Sequence, residues 1–353
     1  MSAGDNAGIN FCNSLLLEDE KFDVIAADTN VFRLLQAVGH SKLLLPDPSS
    51  PDYLPALNQA IHQTGAEFLY AADTNLELQL VSEHRDKLAI RQFLPPSQAV
   101  EIYEDKWRSH QYFVAAGLPQ PETVLVHTPE DLHGLLEKHG RVWLRAIRGS
   151  GGKGALPTDS VAMATAWLDR HSGWGNFTAA QVLTKKMATW SGLWHHGKLV
   201  ICQGRRRLHW EYGELSPAGI TGITGAQSTC DDPELHDLAL RTIASVPIAP
   251  HGIVSVDFTY DSRGRPNPTE IQASRFYTSI YFLARAGLNF PARFVELGME
   301  DDRGTAAPLC NPLPNDLVWL KAVDREPILT HMADVERFAV QHRVTAAKPV
   351  AAF

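Results

Sequence analysis

Asp257, Glu270, Gln272 and Arg275 fall within one short stretch that begins Gly252-Ile-Val-Ser-Val and ends Glu-Ile-Gln-Ala-Ser-Arg275. Apolar and β-branched residues dominate 253–260, Asp261-Ser-Arg-Gly264 is a turn signal, and Pro266 and Pro268 lead into a second short strand. Glu270 and Gln272 are two apart and share a face, and a hairpin sets Asp257 opposite them. Two carboxylates and an amide oxygen then converge, a hard-oxygen set that suits Mg²⁺, an ion that keeps several waters and completes its shell with substrate phosphates. Arg275, just past the strand, reaches the same charge. A solvated hairpin with ordinary surface charges accounts for the same letters, so the case rests on what else the chain supplies.

It supplies cations and glycines. Lys106 stands near the start of a helix expected over about 105–116 and closed by Gly117; a helix N-terminus favours anions, and a bound phosphate reconciles it with a lysine. Val142-Trp-Leu-Arg145-Ala-Ile-Arg148 reads as a strand with Val142, Leu144 and Ala146 on one face and Trp143, Arg145 and Ile147 on the other. It runs into Gly149-Ser150-Gly151-Gly152-Lys153-Gly154, where four glycines in six residues let backbone N–H groups approach phosphate oxygens. Arg145, Arg148 and Lys153 add compensating charge. The Walker pattern is absent. Further on, Arg205-Arg206-Arg207 ends a hairpin; on a continued strand Arg205 and Arg207 face one way, as a clamp for carboxylate or phosphate or as a solvated run. The glycine- and hydroxyl-rich 212–229 segment, with Ser216, lies between strand pairs and reads as a substrate loop.

These residues need a scaffold. Gly4 to Leu17 reads as a glycine turn entering a helix, 22–28 as a buried strand ending in Asp28, and 67–72 as another, with helices near 31–38 and 53–64. Strands alternating with helices imply a doubly wound sheet. A glycine turn of this type normally follows a strand, so either the first strand of the sheet is missing or the chain begins late. Without a full G-x-G-x-x-G fingerprint, Asp28 is expected to serve topology or capping rather than a ribose. Later strands are expected at 177–183, 189–194 and 199–203, the last two joined by a turn at His195-His196-Gly197-Lys198 whose histidines lack metal-ligand spacing.

Composition sets limits. At 353 residues and 39.0 kDa, two or three domains are expected. A formal net charge of −8 disfavours a dedicated nucleic-acid binder. No apolar run is long enough for a bilayer and the N-terminus lacks signal-peptide order, so a cytoplasmic protein without membrane partners is expected. Cys12, Cys202, Cys230 and Cys310 are widely separated with no C-x-x-C spacing, which suggests buried thiols rather than a zinc site or a disulfide framework.

In order, the chain offers an α/β domain, Asp105-Lys106 before a helix, Leu144-Arg145 with the 149–154 glycine loop, Asp257, and Glu270-Ile-Gln272-Ala-Ser-Arg275. This order resembles the ATP-grasp superfamily, and within it the synthetase domains of carbamoyl-phosphate synthase large subunits, over roughly residues 1–300. The resemblance implies an α/β (α+β ATP-grasp) architecture. A Rossmann-like pre-ATP-grasp domain would span 1–104, a small subdomain with the glycine lid 105–180, a second subdomain with the metal site 181–300, and a C-terminal extension 301–353. It further implies that Lys106, Arg145 and the loop Gly149, Ser150, Gly151, Gly152 bind ATP phosphates. Gln181, Val182 and Leu183 would hold adenine; Asp257, Glu270 and Gln272 would hold Mg²⁺ or Mn²⁺; and Arg275, with Lys153 and Arg145, would face the transferring phosphate. Arg205, Arg207, Ser216 and Arg275 are left to bind substrate. Three departures stand out: Arg145 for lysine, Gln272 for asparagine, and Lys185-Lys186-Met187 in place of a glycine and acid after the adenine segment.

The reaction so implied activates a carboxylate as an acyl phosphate, which an amine attacks to give an amide, ADP and phosphate. The partners are then a small-molecule carboxylate and an amine, with a homodimer as the default assembly. His209, Glu211 and Tyr212 lie near the substrate loop, and none is singled out as the base. A small-molecule kinase on the same fold and a nucleotide-binding regulatory protein without turnover are the alternatives.

Overall fold

Polar and apolar residues alternate over 188–191, 254–259 and 270–273, and the sheet built by the strands Met187–His195, Lys198–Trp210, Gly252–Tyr260 and Pro266–Ala273 sorts them to opposite faces. The computed structural model describes residues 1–71, 75–219, 222–299, 307–322 and 328–341. In it these strands form one half of an eight-stranded sheet. Its order is Pro266–Ala273, Gly252–Tyr260, Met187–His195, Lys198–Trp210, Thr224–Cys230, Leu317–Leu320 and Ile328–His331, with Leu309–Cys310 parallel to Lys198–Trp210.

One face carries Val254, Val256, Phe258, Ile271, Ala273, Ala188 and Trp190 into a core shared with Leu235, Leu238, Ala239 and Ile243 of the helix Pro233–Ala244. That helix begins where it does because Pro233 occupies its first turn and the Asp232 side chain accepts from Leu235 N. The other face starts apolar: Leu193, Ile201 and Ile253 pack in a core with Phe276, Phe282, Phe290 and Phe294. Farther along the same strands it turns polar, and this polar half is where the predicted site residues gather.

The N-terminal portion contains two parallel strand pairs, Ile25–Asp28 with Ser41–Leu44 and Phe68–Leu69 with Arg91–Gln92. No strand precedes the helix Asn6–Leu16, as the sequence implies. Instead residues at the chain's start bridge the two pairs: Ala3 N donates to Ala27 O at 3.0 Å and the Met1 amino group donates to Tyr70 O. Asp28, 2% exposed, accepts from Gly4 N at 3.0 Å and from Asn30 N at 2.9 Å, a structural role in tying two turns together. Gly4 admits no side chain, since a Cβ there would stand 2.0 Å from Arg33 O.

A four-stranded antiparallel sheet, ordered Thr123–Leu125, Phe177–Gln181, Val142–Ala146, Leu156–Thr158, follows. Val142 and Leu144 pack with Leu132, Leu135, Ala164 and Leu168 of the helices Glu130–His139 and Val161–Arg170, which turns Arg145 the other way.

The 301–353 segment is no separate appendage where it is described. The sequence Leu317-Val-Trp-Leu-Lys-Ala-Val323 reads as one added strand, and its part Leu317–Leu320 pairs with Thr224–Cys230, with Trp319 1% exposed and stacked on Phe282. Val323 and the terminal residues 346–353, expected to fray, lie outside the described residues. No helix among the described residues is long and apolar enough to cross a membrane.

Candidate active site

Strand register sets Glu270 opposite Asp257, Asp257 opposite Thr189, Thr189 opposite Arg205 and Arg205 opposite Thr229, a single line across the sheet. The adjacent line on the same face reads Gln272, Ser255, Ser191, Gln203. Opposed residues share a face, so the hairpin does bring Asp257, Glu270 and Gln272 together.

Asp257 is paired from within the protein. Arg207 Nη2 donates to both of its oxygens at 2.8 Å and Thr189 Oγ1 donates to Oδ1 at 2.7 Å. Burial acts to raise the Asp257 pKa, but the Arg207 charge and these hydrogen bonds outweigh it and hold the carboxyl below its ordinary range. Glu270 Oε1 accepts from Gln272 Nε2 at 3.0 Å, with Lys106 Nζ at 3.6 Å and Arg275 Nη2 at 3.9 Å.

Lys106 reaches this acid because Asp105 caps its helix, accepting from Trp107 N and Arg108 N, so that the lysine emerges at the first turn. Its ammonium also donates to Gly149 O at 2.7 Å, joining helix to glycine loop. Burial lowers the Lys106 pKa; Glu270 opposes that effect and Arg145 adds to it. Burial likewise lowers Arg145, whose Nη2 donates to Thr269 O at 2.8 Å and so crosses from the small sheet to the hairpin that carries Asp257, Glu270 and Gln272. Arg275, 6% exposed, lies 3.8 Å from Glu104 Oε2.

The glycine loop meets the 212–229 segment. Gly149, Gly151, Gly152 and Gly154 all have positive φ, and Gly151 meets Gly222, where a Cβ would stand 2.9 Å from Gly151 Cα. Thr278 Oγ1 holds Gly222 O at 3.0 Å. Ser150 is half-buried and Lys153 exposed. Gln181 ends its strand, and the peptide groups of the half-buried Val182 and Leu183 make no backbone hydrogen bond to the described residues.

The Arg205–Arg207 clamp is split. Arg207 is committed to Asp257, while Arg205, 2% exposed, donates to Gln227 Oε1 and to Ser279 Oγ and lies 3.6 Å over the Tyr277 ring. Both point the same way, as the alternation requires, but a carboxylate two strands away, across Met187–His195, captures one of them. Burial, with Arg207 nearby, pulls Arg205 down to about 10 and burial pushes Tyr277 up to about 12. Ser216 serves its own turn, accepting from Ala218 N at 3.3 Å, and among the described residues its hydroxyl has no hydrogen bond to the cluster.

Hard oxygens at Glu270 and Gln272 fit a divalent cation: the Gln272 amide nitrogen already faces Glu270, leaving its oxygen available. Asp257 Oδ1 is filled by Arg207 and Thr189, whereas Oδ2 accepts from Arg207 and keeps a second lone pair for the ion.

Sequence reasoning missed Glu104, Thr189, Ser191, Ser255, Gln227, Tyr277 and Ser279. Period-two polar residues in 187–195 and 252–257 carried the signal for the three on those strands. Glu104, at the end of the helix Ser97–Tyr103, gave none.

No family model matches the sequence. Solved structures do resemble it. N5-carboxyaminoimidazole synthetase from Staphylococcus aureus with ADP aligns at TM-score 0.66 and 15% identity over 96% of this chain and 84% of that one. L-amino acid ligase from Bacillus licheniformis gives 0.66 and 12% over 89% and 76%. Biotin carboxylase from Campylobacter jejuni, in a complex with β,γ-ATP, gives 0.65 and 14% over 89% and 72%. Likeness at this level of identity speaks to architecture, and the architecture of this chain is the ATP-grasp fold.

Proposed function

We propose that the chain is an ATP-dependent carboxylate–amine ligase that forms an amide-type bond through an acyl phosphate, with release of ADP and phosphate. The observation that carries this reading is the convergence of Lys106, Arg145 and Arg275 on Glu270 beneath a glycine loop. Three cations gathered around one carboxylate are what a transferring phosphoryl group needs, because charge spreads over its oxygens in the transition state. Lys106 and Arg145 would bind the ATP phosphates, Arg275 would face the transferring one, and the 149–154 loop would exclude water from an acyl phosphate. Val182 and Leu183 offer peptide groups to adenine. Glu270 and Gln272, joined by Asp257, would hold Mg²⁺ or Mn²⁺, which supplies charge neutralisation at the phosphates. The substrates would be a small carboxylate and an amine in the cytoplasm. Two of the neighbours named above are a synthetase and a ligase, which supports the class and leaves the substrates open.

Product analysis tests it: Mg²⁺-ATP is incubated with pools of amino acids, other carboxylates and amines, with Glu270→Ala as control. Pool-dependent ADP and phosphate, absent in the control, is the expected result. ADP without phosphate would instead mark a kinase. Engagement of Asp257 by Arg207 favours one further outcome, ATP binding without turnover, which would mark a regulatory protein.

A further inference from the structure

On the opposite face of the central sheet from the proposed ATP site, Cys202, His236 and Cys310 converge from three separate elements. Cys202 lies on Lys198–Trp210 and is fully buried, and Cys310 sits opposite it on the parallel strand Leu309–Cys310, exposed at its outer side. Side chains opposed in register share a face, so both sulfurs project toward the N-terminal turn of the helix Pro233–Ala244, which carries His236. Cys202 Sγ stands 3.7 Å from His236 Nδ1, and the two sulfurs and the imidazole nitrogen all lie within 4.8 Å of one another. Among the described residues no other three His, Cys, Asp or Glu groups come this close.

The geometry points to a site for a thiophilic divalent cation of the zinc class, held by Cys202 Sγ, Cys310 Sγ and a ring nitrogen of His236. With Zn–S of about 2.3 Å and Zn–N of about 2.0 Å, adjacent ligand atoms of a tetrahedral site stand roughly 3.5 to 3.8 Å apart. The observed 3.7 Å already has that length, too long for a strong direct bond and right for two ligands of one ion. Two sulfurs and an imidazole select zinc over magnesium or calcium, which prefer oxygen. The exposed side of Cys310 leaves the fourth position to water and gives the ion a path of entry. His236 Nδ1 also accepts from Trp190 Nε1 at 3.1 Å, so the indole holds the ring in place and must release that nitrogen, or the ring must turn, as the ion loads. A bound ion would tie three elements together: the central strand, the helix, and the short C-terminal strand.

Cobalt(II) tests the site. The full chain, reduced and stripped with chelator, is titrated anaerobically with Co²⁺. One equivalent should produce a thiolate-to-cobalt charge-transfer band in the near ultraviolet and a tetrahedral d–d spectrum, and Zn²⁺ should abolish both. The oxygen ligands at Glu270 and Gln272 cannot give a thiolate band, so binding there is distinguished by colour. Cys310→Ser, at an exposed position, should cut the charge-transfer absorbance by about half or more and weaken cobalt binding, while the circular dichroism spectrum is retained. His236→Gln should shift the titration by more than about tenfold, the lesser cost of losing even an outer-shell partner. No band in the parent chain, a band and affinity undiminished by Cys310→Ser, or uptake of oxidant to a Cys202–Cys310 disulfide with no metal bound would overturn the assignment.

Discussion

One guanidinium nitrogen of Arg207 spans both oxygens of Asp257, at 2.8 Å to each. The two side chains are 12% and 17% exposed, so the pair is largely desolvated, and removing one partner strands the other. Arg207→Met should lower unfolding free energy by about 3 to 5 kcal/mol at neutral pH, the range for breaking a buried pair. The pH dependence has a definite sign. Because the folded Asp257 pKa is depressed, its contribution is full above the ordinary carboxylate range and is lost as pH falls through the folded value. Denaturant titrations of both proteins should therefore diverge at neutral pH and converge in acid; a gap that stays constant with pH would rule this out.

Lys106 carries the opposite balance. Burial and the charges of Arg145 and Arg275 disfavour its ammonium, with Glu270 and Glu104 in partial compensation. A site that tolerates this strain does so for a ligand. Lys106→Met should leave the ligand-free melting temperature unchanged or slightly higher. ATP should then fail to stabilise the variant, where the parent gains about 2.7 kcal/mol at a hundred times its Kd. Thermal scans with and without Mg²⁺-ATP check both halves, and a variant that melts lower but still responds fully to ATP would count against the assigned role.

The sequence exposes some of this arrangement and hides the rest for physical reasons. Asp257, Glu270 and Gln272 are legible because a hairpin with a clear turn signal fixes their register locally. Lys106 and the glycine loop are legible from chemistry that a helix start or a strand end must satisfy. The commitment of Arg207 to Asp257 is not, since it depends on which strand lies beside which, and Lys198–Trp210 reaches Gly252–Tyr260 only through Met187–His195. Glu104 and Tyr277 arrive from outside the sheet, with no periodicity to announce them. The cysteines illustrate the same limit. Spacing along the chain argues against a metal site, yet parallel pairing of a distant strand puts Cys310 beside Cys202. The C-terminal segment, which carried no motif, contributes strands to the central sheet for the same reason.

Gln272 offers an amide where a carboxylate would bind a cation more tightly. Its Nε2 lies 3.0 Å from Glu270 Oε1. Gln272→Glu replaces that hydrogen bond by repulsion between like charges, so the variant should be less stable without metal and should gain more from Mg²⁺ or Mn²⁺ than the parent does. Melting temperatures across a divalent-ion titration read this out directly. Equal metal-dependent gains in the two proteins would place the cation away from Gln272.

Gly151 and Gly222 join the 149–154 loop, the proposed lid, to the 212–229 segment, and their contact can be separated from backbone strain. Alanine at Gly222, where φ is +76°, would put its Cβ 2.9 Å from Gly151 Cα, an approach that neither backbone can relieve without parting. Thr278 holds Gly222 O, so the lid is the side expected to move. Gly222→Ala should weaken ATP binding by about five- to tenfold, or about 1 to 1.4 kcal/mol, and make the 149–154 segment more sensitive to protease in the presence of ATP. A left-handed alanine costs about 1 kcal/mol by itself, so a control must carry that cost alone. Gly219 provides it: its φ is +70° and nothing lies within 4 Å of an added Cβ. Gly219→Ala should lose comparable stability and keep its ATP affinity. If the two variants lose affinity equally, the effect is strain in the loop; if only Gly222→Ala does, closure of the lid onto Gly222 is part of how the nucleotide is held.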